Sequence, residues 1–397
     1  MNIALIVNQN QTIGGGFQYE LTMLKTLTRR QSDNYKYSVI SFNKENIVLL
    51  NNLGIKSEYF NFSIKSKIDL FLRKNHSLFK PVLKIIRFLQ YSSFDKYLLK
   101  KNIDIAYFLS PSGMFYLLDR CNFIATVWDL LHRDYPEFPE VRECLEFEER
   151  ESMLRSSLSK AVAVIVESEL GRINVAQRYQ VDKNRIVKIP FFIDEDDSQV
   201  ECDIKRKYGI EGNFIFYPAQ FWAHKNHVFI LDSLYELKNT FNRKIYAFFP
   251  GTDKGNLSHV KAYAKLLQIE DQISFPGFLP RDEIIACYKQ ALALVNPTYC
   301  GPTNIPPLEA LYYKCLVIHP NFFGFREQTE NAALYIDCDN PSSLTQLLIK
   351  IYDSIDAFKD YKIRGLKLLK KFSKEQAVVE VEKILSAYQI TLKTWKI

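Results

Sequence analysis

Lys225 is the residue of this 397-residue chain best placed to neutralise a phosphate. It stands in Tyr217-Pro218-Ala219-Gln220-Phe221-Trp222-Ala223-His224-Lys225-Asn226-His227, between a short apolar run and an amphipathic one. A lysine at a helix start, beside the carboxyl end of a strand, meets an anion with its own charge and with the helix dipole. A helix start with polar caps explains the same residues more plainly. His224 and His227 have the i, i+3 spacing of a metal pair, but two ligands without a third nearby do not make a site. The nearest approaches to an Asp-x-Asp pattern, Asp194/Asp196 and Asp337/Asp339, fall in a linker and a late loop. No catalytic metal is expected.

Asn296-Pro297-Thr298-Tyr299-Cys300-Gly301-Pro302-Thr303-Asn304-Ile305-Pro306-Pro307-Leu308-Glu309 leads from a strand into a helix, with prolines at the entry. Proline in a first helical turn leaves the neighbouring N–H groups open to an anion. Glu309 reads either as a ligand contact or as a carboxylate stabilising the helix dipole. Nearer the amino end, Gly14-Gly15-Gly16 sits at a strand-to-helix turn. Glycines there let a ligand approach the backbone, and a purely structural turn would look the same.

The elements that hold these residues alternate along the whole chain. Strands are expected near Ile3–Val7, Tyr37–Phe42, Ile105–Leu109, Ile124–Trp128, Ala161–Val166 and Arg185–Ile189. A second set follows near Phe214–Tyr217, Ile245–Phe249, Gln272–Phe275, Ala291–Asn296, Leu316–Ile318 and Ala333–Ile336. Helix-length segments such as Val141–Ser159, Ser168–Tyr179, Lys225–Lys238 and Asn256–Leu267 separate them. Repeated strand–helix units imply parallel sheets covered on both faces. An acidic break at Phe192-Ile193-Asp194-Glu195-Asp196-Asp197-Ser198 fits a linker between two doubly wound α/β domains.

Lys and Arg number 52 against 45 Asp and Glu, a net +7 too mild to argue for a nucleic-acid partner. Seven cysteines without a two-residue spacing read as reduced thiols. The amino end lacks a basic leader, and no run of about 18 apolar residues exists. A cytoplasmic protein is expected, at most peripheral on the inner face of the membrane. The exception to average composition is Lys65–Lys101, where ten Lys or Arg face only Asp69 and Asp95. Its apolar residues either meet an anionic membrane beside the lysines or pack inward and leave the lysines solvated.

Together these elements resemble the group 1 glycosyltransferases of family four, over nearly the whole chain and most specifically over Gly301–Ala310. The resemblance implies the GT-B fold, with two Rossmann-like domains facing across a cleft. It places an acceptor-side domain at 1–192, a nucleotide-sugar domain at 193–372, and a helix returning to the first domain at 373–397. It implies a nucleoside-diphosphate sugar as substrate, UDP or GDP being expected, a saccharide or lipid-linked saccharide as acceptor, and no cofactor. Gly15 and Gly16 match the loop that approaches the donor phosphates, and Lys225 the lysine that neutralises them. Thr303, Asn304 and Ile305 match the loop around sugar and phosphates. Glu309 matches the second glutamate of a Glu-seven residues-Glu signature and would hold the ribose. Phe278 lies in the turn that receives the base.

Three positions depart from that pattern. The signature's first glutamate falls on Gly301, and the arginine five residues before the lysine is Gln220. The family's His-Asp pair reads Trp128-Asp129, with His132 three residues on. The resemblance implies transfer with retention of anomeric configuration and, through Asp129 or His132, orientation of an acceptor hydroxyl; a structural cap is the other reading of Asp129. The setting implied is synthesis of bacterial lipopolysaccharide, O-antigen or capsule. A catalytically silent GT-B scaffold and a sugar-nucleotide epimerase are the alternatives.

Overall fold

A computed structural model of the chain describes residues 1–10, 15–30, 34–75, 92–195, 200–301 and 303–396. They form two units. The first comprises Met1–His132, Leu145–Phe191 and Lys374–Ile397, and the second Arg133–Cys144 and Phe192–Ser373. The chain therefore enters the second unit for twelve residues, returns, and leaves it again only before its last helix.

The first unit is built on seven parallel strands: β1 (Asn2–Val7), β2 (Lys36–Ser41), β3 (Ser57–Tyr59), β4 (Ile105–Phe108), β5 (Asn122–Val127), β6 (Ala163–Val166) and β7 (Ile186–Lys188). Their order is β3-β2-β1-β4-β5-β6-β7. β1, β4 and β6 are buried almost throughout, as a sheet covered on both faces requires. The helix Gly15–Arg29 lays Phe17, Met23, Leu24 and Leu27 inward at helical spacing. The last helix, Lys374–Leu392, belongs to this unit and buries Val378, Val381, Leu385 and Tyr388. Polar contacts pin it: Tyr35 Oη lies 2.8 Å from Ser386 Oγ, and the Tyr388 hydroxyl donates to the Asp104 carbonyl at 3.0 Å.

β3 is not foreshadowed by any apolar run. Ser57-Glu58-Tyr59 is an edge strand held by its register with β2, Val39 opposite Ser57 and Ser41 opposite Tyr59. The expected single helix over Val141–Ser159 is two. Pro139–Arg142 forms one turn, Cys144 and Leu145 take left-handed φ values of 55° and 62°, and a new helix runs from Glu146 to Ser157. Two successive left-handed residues reverse the chain, and this reversal is where it leaves the second unit.

The second unit holds six parallel strands: β8 (Phe214–Phe216), β9 (Tyr246–Pro250), β10 (Ile273–Gly277), β11 (Ala293–Val295), β12 (Leu316–Pro320) and β13 (Leu334–Ile336). Their order, β10-β9-β8-β11-β12-β13, reverses direction between β8 and β11. Leu231, Leu234, Ile245, Phe249, Val295, Ile318, Leu344 and Leu348 lie in one core cluster, and Phe214, Phe248, Leu294, Ala310 and Val317 in another.

Candidate functional site

Where strand order reverses in an open parallel sheet, the loops on either side part and leave a crevice beyond the strands' carboxyl ends. In the second unit that place is between β8 and β11. The two motifs singled out in the sequence are the loops that follow these two strands. They are bonded to each other: the His224 carbonyl accepts from Tyr299 N–H at 3.0 Å and from Thr298 Oγ1 at 3.3 Å, and Asn226 Nδ2 donates to the Pro297 carbonyl at 3.3 Å.

Lys225 ends a short 3-10 turn, Ala223–Lys225, and the left-handed Asn226 (φ 55°) opens the helix His227–Phe241. Its Nζ lies 3.5 Å from Asn304 Oδ1, joining the lysine to the N-cap of the helix Ile305–Tyr312. Asn304 is itself clamped, because the buried Gln328 accepts from its N–H at 3.0 Å and donates to its carbonyl at 2.6 Å. Pro306 and Pro307 carry no N–H, so the Ile305 N–H and the helix dipole are what this helix start offers an anion. One ammonium and one helix N-terminus thus meet at a single point, an arrangement suited to a diphosphate. Thr303 is buried, and Gln220 Oε1 accepts from Trp222 Nε1 at 3.1 Å.

Glu309 lies a turn into the same helix. It forms an ion pair with Arg281 and accepts from the Tyr288 hydroxyl at 2.9 Å. Burial works against the Arg281 charge, and the Glu309 carboxylate more than restores it, holding the guanidinium above its ordinary value. Phe278, in the turn after β10, is 69% exposed and offers a ring face for stacking.

Polar groups are left open at this end of the sheet, two of them inside the quoted motif and one, His319, without any sequence signal. Asn296 Nδ2, Thr303 Oγ1 and both ring nitrogens of His319 are buried without hydrogen-bond partners among the described residues. Burial, with the Lys225 charge added, pushes His319 down to about 3, so its ring is neutral. Each such group gains by meeting a polar ligand. Gly251, after β9, was equally illegible: a Cβ there would stand 2.0 Å from the Ala219 carbonyl oxygen. His227 is no partner to His224. Its ring is buried, stacked on Phe221 at 4.5 Å, and burial lowers it to about 3. Among the described residues no three His, Cys, Asp or Glu are gathered as a metal site.

In the first unit, Gly15 begins its helix, and Gly16 lies against the Trp128 ring, which a Cβ would meet at 3.0 Å. Gly14 lies outside the described residues. Asp129 accepts from Leu131 N–H at 2.9 Å and from Arg150 Nη2 at 2.6 Å. His132 is wholly buried, with Nε2 3.1 Å from the Tyr179 hydroxyl and 3.3 Å from Glu151 Oε2. Burial first, then Arg150, lowers the ring to about 4. Both groups are held by Arg150 and Glu151, neither of which belongs to a motif of the sequence.

Strand order also reverses here, between β1 and β4, and Glu20 spans that point. Its buried carboxylate accepts from Asn8 and Gln9 N–H at 3.0 and 2.9 Å and from Ser110 Oγ. Burial outweighs these bonds and raises the group from 4.5 to about 7. A carboxyl raised on folding stabilises the fold below its unfolded value and loses that contribution as pH climbs through the folded one. Thermal unfolding should therefore show wild-type stability falling between pH 5 and 8 by a component missing from Glu20→Gln, up to roughly 3 kcal/mol. Parallel curves for the two proteins would refute it.

Residues 201–367 match the family model described as glycosyl transferases group 1. An O-antigen chain mannosyltransferase, RfbU of Salmonella typhimurium, is 28% identical over 226 residues, which are 53% of this chain and 58% of that protein's length. The chain is thus matched to less than two thirds of that curated relative. Among solved structures, HepE of Anabaena in complex with UDP superposes with a TM-score of 0.72 at 13% identity, covering 98% of this chain and all of that one. Sucrose-phosphate synthase of Thermosynechococcus elongatus gives 0.73 at 13% identity, covering 98% and 99%. Both likenesses concern the fold, which is GT-B.

Proposed function

From a chain of GT-B fold whose residues 201–367 match the group 1 glycosyltransferases, we propose a retaining transferase that moves a sugar from a nucleoside-diphosphate donor to a saccharide or lipid-linked saccharide. The observation that carries this reading is the meeting of Lys225 with the N-terminus of the helix Ile305–Tyr312 at the reversal point of the second sheet. Cleaving the bond between the anomeric carbon and the phosphate oxygen leaves its electron pair, and a full charge, on the diphosphate. Lys225, the Ile305 N–H and the positive end of the helix dipole are assigned to that charge, the interaction that most lowers the barrier in such a step. The departing phosphate oxygen takes the proton of the attacking hydroxyl, so no carboxylate base is called for. Glu309 and Phe278 are assigned to ribose and base. Asp129 orients the acceptor, and the buried His132 holds the Asp129 loop from behind. The O-antigen mannosyltransferase relative supports cell-surface polysaccharide as the setting and a hexose donor.

The test is product stereochemistry by NMR with UDP- and GDP-hexoses. An α-linked product from an α-linked donor is expected, and EDTA should leave the rate unchanged. An inverted product, or activity lost to EDTA and restored by manganese, would overturn the reading. Nucleotide bound without transfer to any acceptor would favour the silent scaffold.

A peripheral membrane contact belongs to the same proposal. The helix Ile64–Lys74 carries its polar residues inward, with Ser66 Oγ 2.8 Å from Ser93 Oγ and Asp69 accepting from Ser93 N–H at 3.0 Å. Ile64, Ile68 and Phe71 consequently face outward, 78%, 53% and 59% exposed, with Lys65 and Lys67 also exposed among them. Apolar side chains flanked by lysines suit an anionic headgroup layer. Arg73 and Lys74 are engaged with Asp119 and Glu149, and Lys67 is the cation assigned to lipid. Residues 76–91 of the basic segment lie outside the described ones. Among the described residues no helix is long and apolar enough to cross a membrane. In co-sedimentation with vesicles containing phosphatidylglycerol, replacing Ile64, Ile68 and Phe71 with serine should lower binding at least about a hundredfold, each loss costing about 1 kcal/mol or more. Equal recovery of variant and wild type, or of neutral and anionic vesicles, would end the membrane proposal.

A further inference from the structure

We propose that Glu140 is a positioning residue for the phosphate-binding turn, locking it through His224. The inference rests on Lys225 as the phosphate ligand. Glu140 lies in Arg133–Cys144, the twelve residues that the chain lends to the second unit from the middle of the first. Its side chain is 8% exposed, and one oxygen, Oε1, accepts twice from the same residue: from His224 N–H at 3.0 Å and from His224 Nδ1 at 2.6 Å. Burial alone would raise this carboxyl, yet the bonds from His224 outweigh it and hold Glu140 below its ordinary value. The carboxylate is thus ionised and charge-assisted, the stronger class of hydrogen bond.

The opposite side of the same residue is held as well. The His224 carbonyl accepts from Tyr299 N–H and Thr298 Oγ1, so backbone donor, ring and backbone acceptor of one residue are all fixed. Phe138 reinforces the grip, its ring 6.1 Å from that of His224 and 5.8 Å from that of Tyr299. Lys225 is the next residue. Its own carbonyl accepts from the Tyr217 hydroxyl at 3.0 Å, leaving the 3-10 turn little freedom. A lysine on four rotatable bonds gains affinity for a phosphate when its backbone is held in advance. With Gln220 at the arginine position, the turn depends more heavily on that one lysine.

The test measures UDP and GDP affinity by calorimetry, together with kcat and KM, on the full chain. Glu140→Ala should weaken nucleotide binding and raise donor KM by about tenfold, a charge-assisted bond being lost at a buried site. Glu140→Gln keeps an acceptor oxygen without the charge and should fall between, about threefold weaker. Glu143→Ala, exposed in the same segment, should match wild type. A role confined to folding would instead lower the active fraction and leave KM and affinity unchanged, and that result overturns the proposal. So does wild-type affinity in Glu140→Ala alongside its loss in Lys225→Ala. If Glu140→Ala does not fold, unchanged affinity in Glu140→Gln serves the same purpose. Wild-type affinity in Lys225→Ala removes the phosphate reading itself, and the lock with it.

Discussion

Lys225→Ala should cut turnover at least about tenfold while leaving the thermal midpoint near that of wild type. Tenfold corresponds to about 1.4 kcal/mol of barrier, a modest demand on a charge aimed at a leaving diphosphate. The fold should survive, because the turn is shaped by backbone bonds and not by the ammonium. Lys225 N–H donates to the Trp222 carbonyl at 3.1 Å, and Asn226 N–H to that of Ala223 at 3.0 Å. One contact from Nζ reaches Asn304 on the facing loop, and at 3.5 Å it is a long one. Lys225→Arg should recover part of the rate, since a guanidinium keeps the charge but not the compact geometry. Steady-state kinetics with the preferred donor decide it, and unchanged kcat/KM would take Lys225 out of the site.

Gly251→Ala should be the most damaging single methyl in the second unit. Its Cβ would lie 2.0 Å from the Ala219 carbonyl oxygen, 2.8 Å from the Ala219 carbonyl carbon and 3.3 Å from Gln220 Cα. All three are backbone atoms, so no side chain can swing aside. The Gly251 N–H also donates to the Gly277 carbonyl at 2.9 Å, which ties the glycine to the turn before Phe278. Forcing Ala219 away therefore displaces the loop leading to Lys225, the turn assigned to the base, or both. Overpacking of this kind costs about 1–3 kcal/mol, and nucleotide affinity should fall with stability. Gly113→Ala is the control, because a Cβ there meets nothing within 4 Å. Chemical denaturation and calorimetry on the pair would check both parts. A Gly251→Ala protein as stable as wild type would contradict the close approach.

Much of this architecture was legible in the sequence because buried parallel strands write themselves as apolar runs. Ile3–Val7, Ile105–Leu109, Ala161–Val166 and Leu316–Ile318 all coincide with strands. The Lys225 and Asn304 loops could be read as phosphate loops because strand-to-helix transitions with proline and polar caps leave local traces. What escaped has no local trace. β3 is polar and exists through its partner's register. Gly251 matters because of a backbone 32 positions earlier, and Glu140 because of a residue 84 positions later. The break at Cys144 and Leu145 defeats helical periodicity, since two side-chain-bearing residues adopt a backbone that usually calls for glycine. For Glu309 the sequence offers a ligand contact or a partner of the helix dipole, while its pairing with Arg281 and Tyr288 depends on the neighbouring helix Arg281–Gln290.

The central claim is that a nucleoside diphosphate seats its phosphates between the Lys225 turn and the start of the helix Ile305–Tyr312. Amide hydrogen exchange with and without UDP or GDP measures this directly. Slowed exchange at residues 222–226 and at the amides of 303–305, 308 and 309, with the turn around Phe278 protected by the base, present in wild type and lost in Lys225→Ala, is the expected result. Protection elsewhere with these segments unchanged, or equal protection in the variant, would contradict it.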